Sequence, residues 1–258
     1  EQSIQRARRA YYGMVSYFDD QLGMLLAELD RMGLREDTLV VVTSDHGEML
    51  GEHGMWFKRT FYEPSVKVPL VLQWPGINEP GRSSERTVSL LDLFPTFVEI
   101  ARVPDSAEIQ GHCAGYSLVP DLTQSRDFHE DAGICIEYFS EGTCQPMRTW
   151  IQNRKKLVQV HGESSLFFDL EKDPWELNNQ IESVSSDEDF LSMKTSLEAT
   201  WDPEILREQV LRSQQERFWV REKFGESPFE DWNVQPDYDD SRYVRDHNAQ
   251  ESSQRRRI

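Results

Sequence analysis

Asp45, His46 and Lys58, within "VVTSDHGEMLGEHGMWFK" (residues 41–58), are the residues whose types and spacing could carry chemistry. A carboxylate beside a neutral imidazole offers a divalent cation two good donors. Lys58 follows thirteen positions after Asp45, past Gly47, Gly51 and Gly54. The loop can therefore fold back and set a point charge against an anion held by such a cation. Two donors do not complete a metal site, and the same residues also read as a polar turn closing a buried strand.

The elements that must position these residues are legible from pattern. Val15, Phe18, Leu22, Leu25, Leu26, Leu29 and Met32 recur at steps of three and four, which predicts a helix from Ala10 to Leu34 stopped by Gly33. "TLVVVTS" (Thr38 to Ser44) is a β-branched, uninterrupted apolar run, expected as a strand buried on both faces of an α/β sheet. Its carboxyl end delivers Asp45 and His46, the end where open α/β sheets place their ligands. "VPLVLQWPG" reads as a further strand, and "SLLDLFPTFVEIAR" as a helix with Pro95 in its first turn. Residues 103 to 131 read as loop-rich, followed by short antiparallel strands "ICIEYF", "RTWIQ" and "KKLVQVHG", the latter two joined at Asn153 and Arg154. "ESVSSDEDF" is a surface linker or helix start, and from Trp201 a helix opens with Asp202 as N-cap and Pro203 behind it, ending at Gly225.

Composition excludes some function classes. A chain of 258 residues that is 38% hydrophobic can bury a real core. A net charge of -18 argues against a nucleic-acid partner, and the basic end "QRRRI" reads as a solvated terminus. No stretch approaches the ~18 consecutive apolar residues of a membrane span. Cys113, Cys135 and Cys144 form neither an even set nor a Cys-x-x-Cys pair, which suits a reducing, cytoplasmic setting.

The stretch "TSDHGEMLGEHGMWFKRTFYEPSVKVPLVLQWPG", continued by "SLLDLFPTFVEIA", "EYFSEG" and "LFFDLEKDPWELNN", resembles the sulfatases of the alkaline phosphatase superfamily. The tail from "WDPEILREQVLRSQQERFWVREKFG" resembles the extension of choline sulfatases. The resemblance implies an α/β fold: part of an alkaline-phosphatase-like sandwich over residues 1–125, a small α+β subdomain over 126–200, and an extended tail over 201–258. It implies Asp45 and His46 as metal ligands and Lys58 as the sulfate-contacting lysine. The metal would be Ca²⁺, Mn²⁺ or Mg²⁺, with His46 favouring the latter two because calcium takes oxygen ligands, unless His46 touches the nucleophile instead. A formylglycine nucleophile is expected from an amino-terminal half that the resemblance does not find in these residues, and the chain alone is expected to be inactive.

The implied substrate is a small sulfate ester, with Glu137 of "EYFSEG" as a contact for a quaternary ammonium beside Tyr138 and Glu141, or else an acidic residue on a sheet surface. A homo-oligomer built through the aromatic tail, with Trp219, Trp232 and Tyr238, is also expected, as are no nucleic-acid and no membrane partners. "CQPMR" (144–148) spells the family's Cys-x-Pro-x-Arg, but it precedes hairpin strands instead of opening a helix. Cys144 is therefore expected to be a partly buried loop thiol and not the nucleophile. His53, His112, His129 and His161 read as surface or structural histidines. Two other readings share the residues: a phosphonate monoester or phosphodiester hydrolase of the same superfamily, and a non-catalytic product that associates with other subunits.

Overall fold

The computed structural model describes residues 2–76, 81–123, 133–139, 143–199 and 201–224. Residues 1–208 form one compact unit; the second unit is 209–258. The expected tail contacts Trp232 and Tyr238, together with His129 and Glu141, lie outside the described residues.

Helix α1 spans Gln2–Arg31, starting earlier than its apolar period because the arginine-rich opening is helix-prone without an apolar face. Its predicted stripe is only partly covered: Leu22, Leu26 and Leu29 are half-buried, whereas Val15, Phe18, Leu25 and Met32 are exposed. Gly33 ends it at φ 69°, a left-handed conformation that glycine adopts freely.

Strand β1 (Val40–Thr43) pairs antiparallel with β4 (Leu70–Gln73), Val41 opposite Leu72. The burial expected for "TLVVVTS" is not found. All four β1 residues are half-buried, because the described residues do not supply a layer on each side of this pair. Between them lie β2 (Met49–Leu50), β3 (Trp56–Phe57) and the short helix α2 (Glu63–Val66).

Helix α3 (Leu93–Ile100) follows a 3-10 turn whose Ser89 hydroxyl and Asp92 carboxylate cap each other's backbone N–H groups, and Pro95 sits in its first turn as expected. Two short helices, α4 (Ser106–Gly111) and α5 (Val119–Thr123), occupy the segment read as loop. Helices this short carry too little periodicity to register in a sequence.

The second sheet is an antiparallel meander in the order β5 (Ile134–Tyr138), β6 (Met147–Gln152), β7 (Lys155–Val160), β8 (Leu166–Asp169). The β6–β7 turn falls at Asn153 and Arg154, both at positive φ (50° and 57°), as a tight hairpin demands. One face of the meander presents Leu157 and Phe167 to Phe190, Met193 and Leu197 of α6 (Glu188–Glu198). The other presents Ile151 and Phe168 to Phe61, Tyr62 and Val66, around α2. Strand β8, missed in the sequence, is a four-residue run without alternation. Helix α7 (Pro203–Phe224) begins where Asp202 Oδ1 accepts the N–H groups of Glu204 and Ile205, each at 3.1 Å, confirming the predicted cap.

Candidate active site

Three interactions at the carboxyl end of β1 bring Asp45, His46 and Lys58 together. His46 Nε2 lies 3.3 Å from Asp45 Oδ2, and Lys58 Nζ donates to the same Nε2 at 2.6 Å. On the other side of the ring, Nδ1 meets the Gly47 carbonyl at 2.7 Å. A carbonyl only accepts, so Nδ1 carries the proton and Nε2 presents its lone pair.

Asp45 is 81% exposed along its side chain, open to a ligand. Its carboxyl is held below the ordinary range: desolvation is the largest single influence and pushes it up, but His46, backbone N–H groups and Lys58 together pull it down further. The backbone turns left-handed at Phe57 (φ 71°) just before Lys58, a costly conformation for a bulky residue. This turn redirects the chain at the residue that carries the ammonium.

Two hydrogen bonds tie this cluster to α2. Gly47 N–H donates to Ser65 O at 2.7 Å, and the buried Ser65 hydroxyl donates to Lys58 O at 2.6 Å. Gly47 has no room for a side chain here: a Cβ would stand 2.1 Å from Pro64 O and 3.1 Å from Lys67 O. The glycine of Asp-His-Gly is thus required by close backbone approach, a reason the sequence alone does not disclose.

A cavity of about 610 Å³ is lined by Asp45, His46 and Lys58, and also by Glu137, Tyr138 and the apolar side chains of the meander face. All four residues singled out for chemistry therefore border one space. Glu137 is paired with Arg148 at 3.2 Å and keeps 42% of its side chain exposed.

Cys144 is not partly buried, as expected, but exposed, because it sits in the bend before β6. Its place before a strand agrees with the reading of "CQPMR" as a loop. His53 is structural: it stacks on Tyr62 with ring centroids 3.7 Å apart and contacts the Trp175 carbonyl through Nε2 at 2.9 Å. His161 pairs with Glu204 at 3.2 Å.

Sequence reasoning overlooked Lys156, Glu63 and Glu176. Lys156 and Glu176 have wholly buried side chains, and Lys156 Nζ lies 2.7 Å from a carboxylate oxygen of each glutamate. The available signal was a lysine alternating with Val158 on one face of β7, where an apolar residue would be ordinary.

The sequence pattern of the family described as Sulfatase matches residues 1–103. A choline-sulfatase of Rhizobium meliloti (strain 1021) is 35% identical over 251 residues, 96% of this chain and 48% of that protein. The chain belongs to the sulfatase family. It spans about half the length of this relative, 48% of it. Among solved structures, a protein in complex with its substrate D-glucosamine-2-N,6-O-disulfate superposes with a TM-score of 0.63 at 27% identity, covering 72% of this chain and 38% of that one. The phosphonate monoester hydrolase of Agrobacterium radiobacter superposes at 0.59 with 30% identity, covering 80% of this chain and 41% of that one. The fold is accordingly the alkaline-phosphatase-like α/β fold of the sulfatases.

No cluster of three or more His, Cys, Asp or Glu side chains suited to a metal occurs among the described residues. No helix among them is long and apolar enough to cross a membrane. Asp45 and His46 nevertheless fit a cation as two donors of an incomplete set. Their oxygen and nitrogen face one another, and the Lys58 ammonium already occupies the imidazole lone pair as a positive charge would.

Proposed function

We propose that this chain supplies part of the reactive site of a sulfuric ester hydrolase of the choline-sulfatase kind. Asp45 and His46 hold a divalent cation (Ca²⁺, Mn²⁺ or Mg²⁺), and Lys58 sets its ammonium against the sulfate oxygens. The observation that carries the reading is the convergence of Asp45 and Lys58 on His46 Nε2 at the end of β1. When bound, the cation would supply Lewis-acid polarisation of the ester.

The chain's own residues do the rest. The Gly47 carbonyl fixes the His46 tautomer so that Nε2 carries a lone pair and not a proton. Lys58 would compete for that lone pair with a cation held by Asp45 and His46, and its ammonium, set against a sulfate oxygen, would offset the charge that builds up as the ester bond breaks. The nucleophile, a formylglycine, lies outside these residues, so the chain alone is expected to leave choline-O-sulfate intact. The cytoplasmic setting and the homo-oligomer formed through residues 201–258 belong to the same proposal.

Mn²⁺ titration of the purified chain, read by calorimetry, tests the donor assignment. Asp45→Ala is expected to weaken binding by about tenfold or more, the usual scale for loss of one metal-supporting group; unchanged affinity would remove Asp45 from the site.

We further propose Glu137 as the contact for the ammonium of a cationic alcohol, supported by its place on the shared cavity and its remaining exposure. In the complete protein, Glu137→Gln should raise KM for choline-O-sulfate by about tenfold, ~1.4 kcal/mol of lost cation attraction. KM for an uncharged aryl sulfate should stay unchanged. Equal effects on both substrates would assign Glu137 to the Arg148 ion pair alone.

The second reading, a phosphonate monoester hydrolase, is favoured by the 30% identity to the Agrobacterium enzyme. Faster turnover of a phosphonate monoester than of a sulfate ester by the complete protein would select it.

A further inference from the structure

Lys156 is fully buried in β7; its ammonium donates to Phe61 O at 2.9 Å and Glu176 Oε1 at 2.7 Å, and it is ion-paired with Glu63 Oε1 at 2.7 Å. The other oxygen of Glu176 accepts the Glu63 N–H at 2.7 Å. Two of the three groups around the ammonium, Phe61 O and Glu63, therefore belong to the segment that forms and enters α2. That helix in turn holds Gly47 through Ser65 O and Lys58 through Ser65 Oγ. A continuous set of hydrogen bonds thus runs from the interior of the meander sheet to the two arms of the candidate site.

A buried lysine with two carboxylates is a poor choice if only stability is needed, since apolar side chains of similar volume serve as well or better. What the ionic arrangement adds is direction: the ammonium's hydrogen bonds to Phe61 O and Glu176, with its ion pair to Glu63, set where α2 can lie. Packing by Phe61, Tyr62 and Val66 on Ile151 and Phe168 holds α2 against the sheet but does not by itself fix its position along it.

We infer that Lys156, with Glu63 and Glu176, is a positioning residue for the Asp45, His46 and Lys58 cluster, acting through α2; the inference rests on the reading of that cluster as a reactive site.

Amide hydrogen exchange of the ¹⁵N-labelled chain tests it by comparing the Gly47 N–H, which reports the α2 link, with the Leu157 and Val158 N–H groups, which report the sheet. In Glu63→Ala, Gly47 protection is expected to fall by about tenfold relative to Leu157 and Val158, the signature of local rather than global opening. Glu63→Gln, which can still accept from Lys156, should restore most of it. Lys156→Met should reproduce the Ala result where it folds, and the two Glu63 variants decide the matter where it does not. Gly47 protection that changes only in step with the sheet amides overturns the inference and leaves the cluster a purely structural ion pair. Exchange is read without substrate or metal. A negative result therefore counts against the positioning role alone, while an inactive complete protein with intact Gly47 coupling counts against the functional reading alone.

Discussion

Gly47→Ala is expected to separate Lys58 from His46 and to destabilise the unit formed by residues 1–208. The added methyl would meet Pro64 O at 2.1 Å, Pro64 C at 3.0 Å and Lys67 O at 3.1 Å, all backbone atoms of α2 and its exit. Backbone cannot rotate out of the way as a flexible side chain can, so either α2 or the turn after β1 must move. If α2 moves, Ser65 draws the Lys58 carbonyl with it; if the turn moves, the Gly47 N–H leaves Ser65 O. Either route breaks the 2.6 Å contact between Lys58 and His46.

The stability loss should be of the size seen when an extra methyl enters a filled site, about 1–3 kcal/mol, read as a lower denaturant midpoint at unchanged slope. Mn²⁺ affinity should fall with it. Gly23→Ala is the matched control: it lies inside α1 with no atom within 4 Å of its would-be Cβ, so it should gain about 0.5–1 kcal/mol from helix propensity. An undiminished Mn²⁺ affinity in Gly47→Ala would show that the turn tolerates the methyl and that α2 does not govern the site.

Some of this arrangement was legible in the sequence and some was not, for reasons that follow from range. Local signals were sound where a single element decides the outcome: the cap at Asp202, the turn at Asn153 and Arg154, and the strand that ends just before Asp45. The stripe on α1 was correctly read as helical, yet Val15, Phe18, Leu25 and Met32 are exposed, because periodicity reports which face is apolar and not whether anything covers it. The burial of "TLVVVTS" failed for the same reason. Juxtaposition across the chain was the least legible. Lys58 and His46 are twelve positions apart and were paired through a loop rich in glycine, whereas Glu63, Lys156 and Glu176 come from α2, β7 and the segment after β8. Nothing in the local chemistry of "KKLVQV" or "DPWELNN" announces that each completes the other. Gly47 lies between these cases, since its motif was visible but the carbonyl pressed against it was not.

Glu176→Ala is expected to cost about 3–5 kcal/mol, because it leaves the buried Lys156 ammonium with one carboxylate in place of two and strands the Glu63 N–H. Glu176→Gln keeps an acceptor in the same volume and should cost less. The pH dependence of this pair of variants separates two opposing influences on Glu176. Burial pushes its carboxyl above the ordinary value of 4.5, and the charge on Glu63 adds to that push, while Lys156 and the Glu63 N–H pull it down without reversing it.

A carboxyl raised in the folded state contributes stability that is fully present below its unfolded pKa and is lost as pH rises through the higher folded value. The stability of the wild-type chain relative to Glu176→Gln should therefore be greatest below about pH 4.5 and decline above it, as measured by urea midpoints at a series of pH values. A relative stability that instead grows with pH would mean that Lys156 outweighs burial. The site would then hold a fully ionised triad over that range.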